Sequence, residues 1–346
     1  MKIKQSILSA SITAALAMSV AGEAAATVYA GSRLDIDSLF VNVGSAATPQ
    51  TFNFRLTNTA DLASPTIASA TCGGVFPSSG TCGGAGDVLN ATAANAPGSS
   101  GITRADNDMT FFGPGGNYAN SDSVIHSAQL IGAGNFTDTD NVAESSLDSA
   151  LTGGANSEIQ SITGFNFTFT VSAPGSLSLS FMADPDMRAF ISAFEGAGSS
   201  AQANLNTSFT LRQDTDTDAG DGTALGFANW NPQGTAANDC TASGGVTCNE
   251  DFDTQDLNIK VGSTTSGVDN AHSYGAGDLG FGDALTQFGI SVTNLDAGQW
   301  TLAVNEVKSV DLRRQVPEQV SEPGILALVG IGLLGLGMSS RRKKAK

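Results

Sequence analysis

The sequence predicts an all-β chain, an antiparallel β-sandwich of jelly-roll type with long Gly/Ser/Ala-rich loops. Three observations predict it. The 346 residues include 41 glycines but only 14% charged and 7% aromatic residues, a composition without the Leu, Glu, Lys and Arg that a helical bundle needs. Apolar and polar residues alternate with period two in segment after segment. The strand–helix alternation of a parallel sheet is missing, because only the stretch near Glu144 to Leu151 reads as a short helix.

The elements follow in order. Lys2 and Lys4 precede an apolar small-residue run from Ile7 to Ala21, and Ala24, Ala25 and Ala26 supply the small-x-small pattern that signal peptidase accepts. Residues 1–26 therefore read as a secretory signal cut after Ala26, with Ala21 and Ala30 as alternative cleavage positions and an uncleaved anchor as the competing reading. The body, residues 27–315, opens with "VYAGSRLDIDSLFVNVG" and "TFNFRLTNT", both patterned as half-buried strands. From about 60 to 120 the pattern dissolves into Ala, Ser, Gly, Thr and Asn, ending in the turn-rich "FFGPGGNYANSDS", which reads as an irregular insertion.

The clearest alternation comes next. Phe165, Phe167, Phe169 and Val171 share one face, Pro174 and Gly175 make a turn, and Leu177, Leu179 and Phe181 share a face of the following strand. This predicts a hairpin with an aromatic core face. Further strands carry Phe209 with Leu211, and Trp300 with Leu302 and Val304. The length permits one large domain or a split into two β domains near residue 120.

Charge narrows the function. Between Thr27 and Val320 stand nine basic residues against 31 acids, a net of −22. Such a body repels phosphate backbones and has no basic stripe, so a nucleic-acid partner is excluded. The four cysteines form two close pairs, Cys72 with Cys82 and Cys240 with Cys248, each flanking a short Gly/Ser-rich segment. In an exported chain two local disulfides are the simplest pairing; a zinc site is the alternative, without CxxC spacing or histidine partners in its favour.

Candidate chemistry is sparse. "RQDTDTDAGDG" clusters Asp214, Asp216, Asp218 and Asp221, a spacing that can aim hard oxygens at one calcium ion, although Leu225 stands where an EF-hand has its bidentate Glu. The competing reading is a solvated acidic turn, as for the acidic runs at Asp106 and Asp108, at Asp138 and Asp140, and from Glu250 to Asp256. Trp230, beside Asn229, Asn231 and Gln233, offers a flat ring among amides, as a glycan site would use, or else caps one end of the core. His126 and His272 are the only histidines and neither lies near a nucleophile elbow. With no catalytic constellation, the chain reads as a non-enzyme that needs no cofactor unless calcium binds; a secreted hydrolase built on paired carboxylates is the less favoured alternative.

The last segment, residues 316–346, carries the most specific signal. "SEPGILALVGIGLLGLGMSSRRKKAK" joins Ser321, Glu322 and Pro323 to an apolar run over 324–340, with Gly324 at its start, and then to a basic tail over 341–346. The 15 uncharged residues from Gly324 to Met338 fall short of the roughly 30 Å hydrocarbon core at about 1.5 Å per residue. The basic tail holds the end in the cytoplasm and leaves the body outside. This arrangement resembles the tripartite sorting signal of PEP-CTERM proteins, with Ser321 standing where the family usually has its first proline. The resemblance implies a Gram-negative bacterium, processing by an exosortase after signal peptidase, and removal of the tail near the motif. It also implies delivery of the body to the cell surface or exopolysaccharide matrix. Membrane contact would then be transient; a permanent single-pass anchor is the alternative. The reading is an exported surface or matrix protein associated with biofilm or floc, and a carbohydrate- or calcium-dependent binding module is the runner-up.

Overall fold

A computed structural model describes residues 26–62, 67–76, 89–95, 102, 104–105, 107–126, 136–148, 155–216, 224–234, 238–274 and 284–315. Residues 1–25, Cys82, Asp218, Asp221 and the whole of 316–346 lie outside these residues. Among them there is no helix, and hence none long and apolar enough to cross a membrane. In chain order the strands are β1 (Val28–Val43), β2 (Ala47–Leu62), β3 (Ala68–Phe76), β4 (Leu89–Asn95), β5 (Tyr118–Ile125), β6 (Thr137–Leu147), β7 (Ala155–Val171) and β8 (Gly175–Ile191). There follow β9 (Ser200–Asp216), β10 (Phe227–Trp230), β11 (Cys240–Ser243), β12 (Thr247–Asp253), β13 (Lys260–Ser263), β14 (Val268–His272), β15 (Thr286–Leu295) and β16 (Gly298–Arg314).

These strands make two antiparallel sheets packed face to face. Sheet I runs β12-β15-β8-β1-β6-β5-β4, with β14 also on β8; sheet II runs β11-β10-β9-β16-β7-β2-β3, with β13 also on β9. The first strand is central in one sheet and the last is central in the other. Alternation puts Phe165, Phe167, Phe169 and Val171 of β7, Leu177, Leu179 and Phe181 of β8, and Trp300, Leu302 and Val304 of β16 into the shared core. Phe181 stacks on Phe288 at 5.2 Å and reaches across the interior to Phe209 at 5.3 Å.

Three expectations need correction. The strands around Pro174 and Gly175 do not form a hairpin: β7 pairs with β2 and β16, whereas β8 pairs with β1, β14 and β15. The turn carries the chain from one sheet to the other, so the two apolar faces meet across the core rather than side by side. Glu144 to Leu147 belong to strand β6, not to a helix. Strands β3 and β4 run through the stretch that composition reads as irregular, and β5 begins at its end.

The outer face of sheet I is covered over β1, β5 and β6. Every residue of β5 and all but one of β6 are buried, because the segment around Arg104 to Asn117 lies on that face. Arg104 donates to Glu144 at 2.6 Å and stacks on Phe112, and Arg33 pairs with Asp186 beneath Phe111. Gly31 makes room for this cover, since a Cβ there would lie 2.7 Å from the Phe111 ring. Between the sheets a polar pocket of core holds the buried pair Lys308–Glu306 at 3.0 Å, with Asn141 donating to Glu306 at 3.0 Å. Burial lowers the Lys308 pKa.

Candidate functional site

The second cysteine pair joins the two layers. β11 is the edge of sheet II and β12 the edge of sheet I, and Cys240–Cys248 links them with a Cα separation of 5.8 Å. Cys72 is also disulfide-bonded; Cys82, its expected partner, lies outside the described residues. Inside the sheet edges, Trp230 is 0% exposed, packs on Phe209 at 4.9 Å and donates its Nε1 hydrogen to Glu250 at 2.6 Å. No face of the ring is open to a sugar. The core-capping reading replaces the glycan-stacking one, because the aromatic core of β8 and β9 encloses the ring.

Of the expected calcium set, only the Asp214 side chain lies within the described residues. Asp214 is ion-paired with its own strand neighbour Arg212 at 2.8 Å and accepts a hydrogen bond from Thr301. Asp216 ends β9, with its side chain, like Asp218 and Asp221, outside the described residues. The acidic group that does converge is Asp239, Glu250 and Asp253, whose oxygens lie within 4.8 Å of one another beside the disulfide. Gln233 and Gly234 donate backbone hydrogens to Asp253 at 3.1 Å, and Asp239 does so to Glu250 at 3.1 Å. Burial and the adjacent Glu250 push Asp253 up to about 7. Three hard oxygens so close are a donor set suited to a divalent cation. The acidic run at 250–256 signalled part of this group; Asp239 was invisible in sequence because the disulfide loop brings it back.

A second acidic constellation sits on the covered face of sheet I. Register places Asp184 of β8, Asp35 of β1 and Asp140 of β6 side by side across three strands. A bulge after Ile36 puts Ser38 at φ 57°, and its N–H donates to Asp138 at 2.8 Å. Burial, then contact with Asp140, raises Asp35 to about 8. His126 bonds Asp140 at 2.6 Å, and that contact raises the imidazole pKa. Two rows along, Glu144 accepts from Arg104, Gly113 and Tyr29, which identifies it as a structural anchor of the covering segment.

The third feature is a groove of about 380 Å³ on the outer face of sheet II, across β2, β7 and β16. One cross-strand row reads Gly73, Arg55, Gly164, Asn305. Gly164 leaves bare backbone beside the exposed Arg55, and Asn53, Thr57, Asn166 and Ile162 complete the walls. Nothing in the alternation of "TGFNF" distinguishes Gly164 as a groove former; only the strand order does.

Residues 319–343 match the family model described as the PEP-CTERM protein-sorting motif. No curated protein and no solved structure matches the chain. The matched span contains Ser321, Glu322, Pro323 and Gly324, the apolar run and the first basic residues, in the order in which the sorting signal uses them. The chain therefore carries a PEP-CTERM protein-sorting motif, the mark of an exported, envelope-associated protein processed by an exosortase.

Proposed function

We propose that the exported body is a non-enzymatic component of the cell surface or extracellular polysaccharide matrix of a Gram-negative bacterium, contributing to biofilm or floc formation. The sorting motif at 319–343 is the observation that carries this reading. A short apolar span suits brief docking at the membrane before the tail is removed.

The body's chemistry supports a structural role. Asp35 and Asp140 touch each other and are only 8% and 6% exposed, closer than the roughly 5 Å separation that a retaining glycosidase needs and without open access to substrate. The described cysteines are disulfide-bonded, and Glu144, Asp186 and Glu195 hold buried arginines. A sandwich with its edges joined by a disulfide suits an oxidising exterior. Deletion of the gene, scored by biofilm cohesion and matrix composition, tests the reading: the proposal expects loss of cohesion or of a matrix component, and an unchanged biofilm contradicts it.

A further inference from the structure

We propose that the groove on the outer face of sheet II binds a glycan that carries carboxylate groups, a uronic-acid-containing segment of exopolysaccharide. Arg55 receives the carboxylate, and Asn53, Asn166 and Asn305 take ring hydroxyls. The choice of a glycan rests on the matrix reading above; the chemistry of the groove stands on its own residues.

Hydrogen-bond satisfaction is the first support. Elsewhere on this face polar side chains bond one another: Thr51 with Thr168, Gln299 with Gln50, Asn204 with Ser309, Asn206 with Asn258. In the groove, Arg55 and the three asparagine amides make no side-chain hydrogen bond or ion pair among the described residues, although they are neighbours in adjacent strands. They are donors and acceptors left facing solvent from a rigid sheet, the preorganised arrangement that lowers the cost of binding a polar ligand.

Charge is the second. Six of the nine body cations are ion-paired: Arg33, Arg104, Arg188, Arg212, Lys308 and Arg314. Arg55 is one of three that make no ion pair among the described residues, in a body of net charge −22. Around it, outward positions Asn53 to Thr57 of β2, Ile162 to Thr168 of β7 and Thr301 to Val307 of β16 carry no acid, since Glu306 points into the core. The acids are concentrated on the other sheet and in loops, leaving this strip with a single positive charge. A guanidinium beside Gly164 can present its planar fork to a carboxylate without a side chain competing from that position. A nucleic acid needs a row of cations along its backbone, and this groove offers one among amides; a peptide would want a sheet edge or apolar pockets, which this mid-sheet polar groove lacks.

Titration calorimetry of the full chain, purified in mild detergent, tests the proposal with a galacturonic acid hexamer and its fully methyl-esterified form. The hexamer should bind, and the ester about tenfold or more weakly, as expected for loss of a charge-assisted pair. Arg55→Gln should weaken hexamer binding about tenfold, and Asn305→Ala severalfold. Gly164→Val should abolish binding while circular dichroism and melting stay unchanged, because a Cβ at 164 meets nothing nearer than 3.9 Å. Equal binding of acid and ester, binding unchanged in both Arg55→Gln and Gly164→Val, or no binding of the hexamer would each overturn the proposal. Fractionation separates it from the reading it rests on: a chain found in the matrix that binds no hexamer overturns the groove alone. A hexamer-binding chain absent from surface and matrix overturns the matrix role and keeps the groove.

Discussion

Asp35→Asn should change how the stability of this protein depends on pH. Asp35 lies on the covered face of sheet I between Asp140 and Asp184, with Asp37, Asp138, His126 and Arg33 around it. Its carboxyl stays protonated to about pH 8 because burial and its neighbours disfavour the charge. The folded chain thus holds a proton that the unfolded chain releases near pH 4. That contribution to stability is complete below about pH 4 and is lost as pH rises through about 8. At about 1.36 kcal/mol per pH unit, discounted for residual solvent screening, the loss between about pH 5 and pH 8.5 is roughly 2–4 kcal/mol. Asparagine keeps the shape, donates to Asp140 and does not titrate. Urea unfolding followed by fluorescence of the buried Trp230 and Trp300 reads the difference. The variant should gain roughly 2–4 kcal/mol over the parent at about pH 8.5 and gain little at about pH 5. Asp122 and Asp186, raised by burial to about 6, contribute equally to both proteins and cancel. Parallel losses in parent and variant between the two pH values would refute the reasoning.

Other outcomes follow from the same structure. Replacing Cys240 and Cys248 by serine opens a link of sequence separation 8 and should cost about 2.5 kcal/mol from loop-closure entropy, read as a lower urea midpoint that reductant no longer shifts at this site. Lys308→Met leaves Glu306 buried without its cation and should cost about 3–5 kcal/mol, whereas a second change, Glu306→Leu, should restore much of it; a double-mutant cycle in urea checks the coupling. Asp253→Asn relieves the repulsion with Glu250 and Asp239, so its stabilising effect should grow as pH rises through about 7 and vanish in acid; melting curves across that range test the sign. Pro323→Ala, inside the matched motif, should leave the chain unprocessed and held with the membrane fraction, visible as a larger species on a denaturing gel.

Period-two alternation in the sequence locates strands wherever one face is buried and the other wet, as at Phe165 to Val171 and Trp300 to Val304. It fails at β5 and β6, whose polar sequences YANSDSVI and TDTDNVAESSL carry no alternation because both faces are covered. Strand pairing was also hidden. The Pro174–Gly175 turn looks like a hairpin turn, but two wholly apolar faces are better buried against each other across two sheets than side by side on one. Acidic runs read as solvated because sequence shows a charge and not its partner; Asp140 meets His126 and Glu250 meets Trp230 only in the fold. The sorting signal was legible because its elements are contiguous, whereas the groove depends on Arg55, Gly164 and Asn305, which only the strand order β2-β7-β16 assembles.

Intact mass of the protein recovered from cell-surface and medium fractions tests export and sorting most directly. A species that begins after Ala26, ends near the motif at 321–323 and carries its disulfides is the predicted result. A surface or medium species that retains the apolar run and the basic tail to Lys346 would contradict it.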